Sequence, residues 1–255
     1  MQPLIRSWVQ IRSLTTAQLR ARYRRTVAGF LWVILSPLIM YAAQAAIFKH
    51  IIKIGIPHYG IFLLSGLLPW FFIVNTLEMG IPVLRNSRDL LTSFRIPPHW
   101  LILSVALDNA INFAAAFLLV LIPMFFWVSP PLTGLWTLPL GFVPLIIGTA
   151  SLTSWLAVMN VFFRDTRFVV HFMISVLFFL TPVFYPAELV PEPWRFIIQL
   201  NPIYSLFEPI RIGLYDYTFS KFIMSFGRSL LVSVLFLWVS IFSWRKQRNE
   251  FYHFL

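Results

Sequence analysis

The sequence predicts an all-α membrane protein with six transmembrane helices, and three observations carry that reading. Of 255 residues, 59% are apolar and 11% charged, more apolar side chain than a soluble domain of this length can bury. Six apolar runs approach the roughly 20 residues needed to cross about 30 Å of hydrocarbon. They cover about 30–48, 60–79, 101–127, 137–162, 168–186 and 223–244. Between the fourth and fifth runs sits Arg164-Asp165-Thr166-Arg167. Hydrocarbon cannot solvate such a knot, so it marks a membrane face where one helix turns into the next.

Before the first run, residues 1–28 carry six arginines and no continuous apolar core, so no signal peptide is expected. Leu4, Trp8 and Ile11 recur at helical spacing. This segment reads as an amphipathic interfacial helix lying along one leaflet, with a plain charged anchor as the simpler alternative. The spans follow at 30–244, and 245–255 form a polar tail. With no repeat and no linker, 1–255 reads as one membrane domain.

Charge orients the spans. Fourteen of the 20 Lys and Arg residues fall in the N-terminal segment, the second and fourth loops and the tail. The other side holds Lys49, Lys53, Arg195, Arg211 and Lys221, with Arg228 just inside the last span. Both termini are therefore expected in the cytoplasm. The net charge of +11 is read as this bias, not as a nucleic-acid footprint. Pro37, Pro69, Pro123, Pro139, Pro144 and Pro182 interrupt the spans and are expected to kink them.

Two extramembrane segments stand out. In the second loop, 80–100, Pro82 can open a helix and Pro97-Pro98 must end one. Between them Val83, Leu84, Leu90, Leu91 and Phe94 alternate with Arg85, Asn86, Arg88 and Asp89. The expected element is one amphipathic helix of about three turns, suited to a partner's cleft, with an ordinary surface helix as the alternative. The segment 186–222 is too apolar for a solvated loop and too rich in proline to span. Two short helices separated by Asn201-Pro202, dipping into the outer leaflet and returning, fit it.

Within the spans, Asp108 and Asn112 share a helix face beside Asn109, Glu78 lies late in the second span and His171 early in the fifth. Such residues mark function by default, with interhelical hydrogen bonds as the simpler account. Gly148, Thr149, Ala150, Ser151, Thr153 and Ser154 suit close helix packing. Phosphate-loop, zinc-protease and Cys/His motifs are missing, and there is no cysteine. The acidic residues are too scattered for a membrane-embedded transferase. A channel or scaffold without an ATPase stays open on these grounds.

The chain resembles the membrane permeases of ABC exporters for lipid-linked polysaccharide: O-antigen, capsule and teichoic acid. The likeness rests on RARYRRTVAGFLWVILSPL (20–38), LSGLLPWFF (64–72), FRIPPHWLIL (94–103), VFFRDTRFVV (161–170), FLTPVFYP (179–186) and LNPIYSLFEPIR (200–211). In this order and spacing they are specific. One departure is Arg95-Ile96-Pro97-Pro98, where the family often has a lysine and a Phe-Pro pair.

The resemblance implies a homodimer in the inner membrane with a channel at its interface and two copies of a nucleotide-binding ATPase docked below. ATP and Mg would sit on that partner, leaving no cofactor in this chain. The 83–94 helix would be the coupling helix, through Leu84, Arg85, Arg88, Asp89, Leu90 and Phe94. The hairpin would gate the outer face, through Trp194, Phe196, Asn201, Pro202, Tyr204 and Phe207. The substrate would be an undecaprenyl-pyrophosphate-linked glycan. The cytoplasmic-face charges would be Arg20, Arg24, Arg25, Arg164, Asp165 and Arg167, and the arginines among them would receive the glycan's pyrophosphate. Trp32, Tyr41 and Tyr185 would line the channel. A drug or small-lipid exporter permease is the alternative.

Overall fold

The computed structural model describes residues 13–16, 35, 39–44, 46–47, 56–93, 96–128, 132–248 and 250–255. The interfacial helix apart from 13–16, most of the first run, and the calls on Arg20, Arg24, Arg25, Trp32 and Phe94 lie outside the described residues. Among the described residues there are helices and turns and no strand. Four helical segments are long and apolar enough to cross a membrane: Tyr59–Gly80, Pro98–Pro123, Thr133–Phe162 and Phe219–Gln247.

The first of these, α1 (Tyr59–Gly80), is apolar on every side. A helix of that kind belongs in the middle of a bundle, and α1 packs against the helices that begin at Pro98, Leu138 and Pro202. The loop after it holds two short helices, α2 (Val83–Asn86) and α3 (Arg88–Ser93). The single three-turn helix expected here is broken at Ser87, whose backbone leaves the helical region at φ −108°, ψ 25°. Leu84 and Leu91 are buried against the bundle. The break lets both short pieces present an apolar side chain to it.

Pro98 opens α4 (Pro98–Val128), where its missing N–H costs nothing. Pro139 stands in the first turn of α5 (Leu138–Phe162). Pro69, Pro123 and Pro144 lie inside helices, as expected. Pro182 instead ends one. α6 (Thr166–Leu180) stops at Thr181, which is extended because the residue before proline disfavours the helical region. The fifth apolar run is thus a helix of 15 residues, about 22 Å at 1.5 Å per residue, followed by turns through Pro186. None of its residues is buried.

A helix pair follows, α7 (Arg195–Leu200) and α8 (Pro202–Leu214), preceded by two single 3-10 turns. Two helices parted at Asn201-Pro202 match the expected hairpin. Its second helix is no peripheral flap, since α8 is wedged among α1, α5 and the last long helix, α9 (Phe219–Gln247). A terminal turn, α10 (Phe251–Phe254), buries Phe251 against Trp244 at a ring distance of 5.1 Å.

Small residues set the packing of α5, α8 and α9. Ser225, Ser229, Ser233, Ser240 and Ser243 are all buried on α9. Ser233 donates to the Pro144 carbonyl at 2.7 Å and Ser229 to the Leu206 carbonyl at 3.2 Å. A Cβ on Gly148 would stand 2.5 Å from Leu206 and 2.8 Å from the Ser233 hydroxyl. Apolar burial does not drive association in lipid, so close backbone approach and such hydrogen bonds must hold these helices.

Candidate functional site

The bundle has two chemically different ends. At one lie the end of α1, the α2–α3 loop, the α5–α6 turn and the end of α9. At the other lie the start of α1, the end of α6 and the α7–α8 pair.

At the second end, two motifs meet. Asn201 caps α8, its Oδ1 accepting from Ile203 N–H at 2.9 Å and Tyr204 N–H at 3.2 Å. Its Nδ2 donates to Thr181 Oγ1 at 2.8 Å. The Thr-Pro that ends α6 and the Asn-Pro that starts α8 are thereby tied together.

A third motif joins through Arg211, which is buried at 6% exposure. Its Nη2 donates to the Val183 carbonyl at 2.9 Å, its Nη1 to the Pro182 carbonyl, and its Nε to Ser65 Oγ at 3.4 Å. The guanidinium lies 4.2 Å from the Phe62 ring centre, a cation–π distance. Gly66 makes the space: a Cβ there would stand 2.1 Å from Nη2 and 2.7 Å from the Val183 oxygen. An arginine at membrane depth costs about 2.5–3.5 kcal/mol on insertion scales. Two charge-assisted bonds at about 1.5–3 kcal/mol each offset that.

Arg211 lies at the end of the bundle where the charge count along the chain puts it, but as a buried clamp, with Ser65 and Gly66 in its cradle. The signal was present: an arginine four residues after Phe207 on an otherwise apolar helix face. Of the residues assigned to the hairpin, Asn201, Tyr204 and Phe207 are buried within the subunit. Trp194, Phe196 and Pro202 face outward. Tyr185 donates to the Phe179 carbonyl at 2.9 Å, and Tyr41 is half-buried against the core.

At the other end, Glu78 and His171 come together, Oε1 to Nδ1 at 3.0 Å, across α1 and α6. They border a cleft of about 380 Å³ with Arg167, Phe168 and Ile174. The charged knot is a tight turn: Thr166 donates through N–H and hydroxyl to the Phe163 carbonyl at 3.1 and 2.7 Å. Arg164, Asp165 and Arg167 are exposed, and among the described residues none of them forms an ion pair. In the α2–α3 loop Arg88 and Asp89 are exposed, Arg85 and Leu90 half-buried and Leu84 fully buried. Asp108, Asn109 and Asn112 are buried on α4.

Counter-charges separate the two ends further. Around the α7–α8 pair, Arg195 lies 3.8 Å from Glu192, Lys221 pairs with Asp216, and Arg228 Nη2 reaches both Glu208 oxygens at 2.9 and 2.8 Å. At the opposite end Arg85, Arg88, Arg164, Arg167, Arg245, Lys246 and Arg248 form no ion pair among the described residues.

This arrangement defines a multi-pass helical membrane protein with a helix pair clamped at one end and a basic face at the other. Residues 9–215 match the ABC-2 type transporter family, and the chain belongs to that family. It is 30% identical over 256 residues to the O-antigen export system permease protein RfbA of Myxococcus xanthus, covering 97% of both chains. It is 26% identical over 194 residues to the O-antigen export system permease protein RfbA of Klebsiella pneumoniae, covering 76% of this chain and 75% of that one. Against the polysialic acid transport protein KpsM of Escherichia coli, identity is 22% over 205 residues, covering 78% and 79%.

Proposed function

We propose that this chain is the permease subunit of an ABC exporter that moves a lipid-linked polysaccharide of O-antigen or capsule type across the inner membrane. The observation that carries the reading is near-full-length similarity to an O-antigen export permease. The clamped hairpin supports it, since a path wide enough for a sugar chain needs a seal at its exit.

In this reading the subunit has six spans. α6 is the short one, completed by the turns to Pro186, and the first span lies within 30–48. Two subunits pair, and the apolar, unburied α6 is the face that meets the partner and the path. Residues 83–94 contact a separate ATPase that carries ATP and Mg. The unneutralised basic face is cytoplasmic, as the bias of positive charge requires, and both termini lie there. Its arginines receive the pyrophosphate of an undecaprenyl-linked glycan.

The test is a deletion strain complemented with the intact chain. Loss of surface polymer with accumulation of the lipid-linked glycan inside the cell, both reversed by the intact gene, is expected. Composition of the accumulated glycan distinguishes O-antigen from capsule or teichoic acid. Normal surface polymer in the deletion strain would sink the reading.

A further inference from the structure

We propose that a groove between α4, α5 and α9 holds one acyl chain of an anionic phospholipid, with the lipid phosphate on Arg245. The groove encloses about 440 Å³ near the basic end of the bundle. Its walls are Ile102 and Leu103 of α4, Ile146 and Ile147 of α5, and Leu237 and Ile241 of α9. Ala150, Ser151, Ser154 and Ser240 are the reason a groove exists, because small side chains leave the space between three helices unfilled.

A void of this kind forfeits dispersion contacts on all its walls. The neighbouring face of α9, with Val234 and Trp238 more than half exposed, is apolar and meets hydrocarbon. The membrane can therefore supply the missing atoms. Charge selects among membrane lipids. His99 and Arg245 stand at the groove's polar mouth, and no carboxylate lines it. Lys246 and Arg248 follow on the same helix end. Basic pockets between spanning helices bind anionic headgroups, each basic residue near the surface strengthening the attraction about fivefold. A neutral lipid gains only the apolar contacts. Leu84 of α2 closes the groove, so the occupant abuts the loop that follows α1.

The inference needs a membrane-embedded chain and not the export reading, so either can fail alone. The full chain is purified in mild detergent and titrated with phosphatidylglycerol, phosphatidylcholine or a polyprenyl phosphate, and retained lipid is counted by native mass spectrometry. One tightly retained phosphatidylglycerol per chain is expected. Arg245→Gln weakens its retention about fivefold, the effect of removing one basic residue, and leaves phosphatidylcholine unchanged. Ala150→Phe abolishes retention of both. Should that variant fail to fold, phosphatidylglycerol brominated on its acyl chain is added to the unmodified protein and to Trp244→Phe. The quenchable fluorescence must be smaller in the substituted chain. Undiminished phosphatidylglycerol retention in Arg245→Gln, or identical quenching in both chains, overturns the proposal. So does preferential retention of a polyprenyl phosphate.

Discussion

Arg211 and Asn201 join the end of α6 to the α7–α8 pair by different chemistry. Asn201 supplies a cap and one side-chain bond. Thr181→Val should therefore cost about 1 kcal/mol, the net worth of one hydrogen bond, and Asn201→Ala about 2 kcal/mol, since the cap is lost too. The double variant should resemble Asn201→Ala, because the two share one bond. Thermal unfolding of the purified chain measures all three, and additive losses would show that Thr181 and Asn201 act independently. Arg211→Met strips the Pro182 and Val183 carbonyls of their donor and should cost about 2–4 kcal/mol. Gly66→Ala should cost a similar amount by pushing aside the guanidinium and the Val183 carbonyl, and adding it to Arg211→Met should cost less than the two single losses summed, because only the Val183 contact then remains. A Gly66→Ala chain as stable as the parent would refute the cradle.

Among the elements, α2 and α3 divide their residues between the bundle and the outside. Leu84→Asp should destabilise the permease itself, by burying a charge without a partner. Arg88→Glu and Asp89→Arg should leave it folded and weaken its association with the ATPase. Co-purification separates the cases: if both charge reversals retain the ATPase fully, docking uses another surface. α6 buries none of its residues although Phe168, Phe172 and Phe179 are 72, 62 and 67% exposed. Single cysteines can be placed freely, since the chain has none. Phe172→Cys on α6 and Leu200→Cys at the tip of the hairpin should cross-link between copies in the resting state. During transport, Leu200→Cys should become open to a polar thiol reagent. Monomers after oxidation in both variants would show that these faces meet lipid.

Across the whole molecule, the orientation is tested by the same chemistry. A cysteine at Arg248 should be labelled by an impermeant reagent only after the membrane is opened, and one at Asp216 without opening it. The reverse result would invert the assignment of faces. The two faces differ in how their cations are held: Arg195, Lys221 and Arg228 pair with carboxylates and Arg211 is buried, while Arg85, Arg88, Arg164, Arg167, Arg245, Lys246 and Arg248 form no ion pair among the described residues.

The apolar runs and the proline positions determined by themselves the four long helices, the break at Asn201-Pro202 and the tight turn at Arg164-Asp165. These depend on local chemistry: helix length against hydrocarbon thickness, a ring that lacks an N–H, and charges that lipid cannot hold. The charge bias also separated the basic face, and the small residues of 148–154 announced a close helix contact. Tertiary structure alone decided that Leu84 faces inward and that Glu78 meets His171. It alone placed Ser65, Gly66, Thr181, Asn201 and Arg211 around one anchor. Those residues come from segments up to 146 positions apart. No periodicity links them; the link appears only when α8 is wedged between α1 and α5 and a buried guanidinium must find acceptors where helix ends leave carbonyls unpaired.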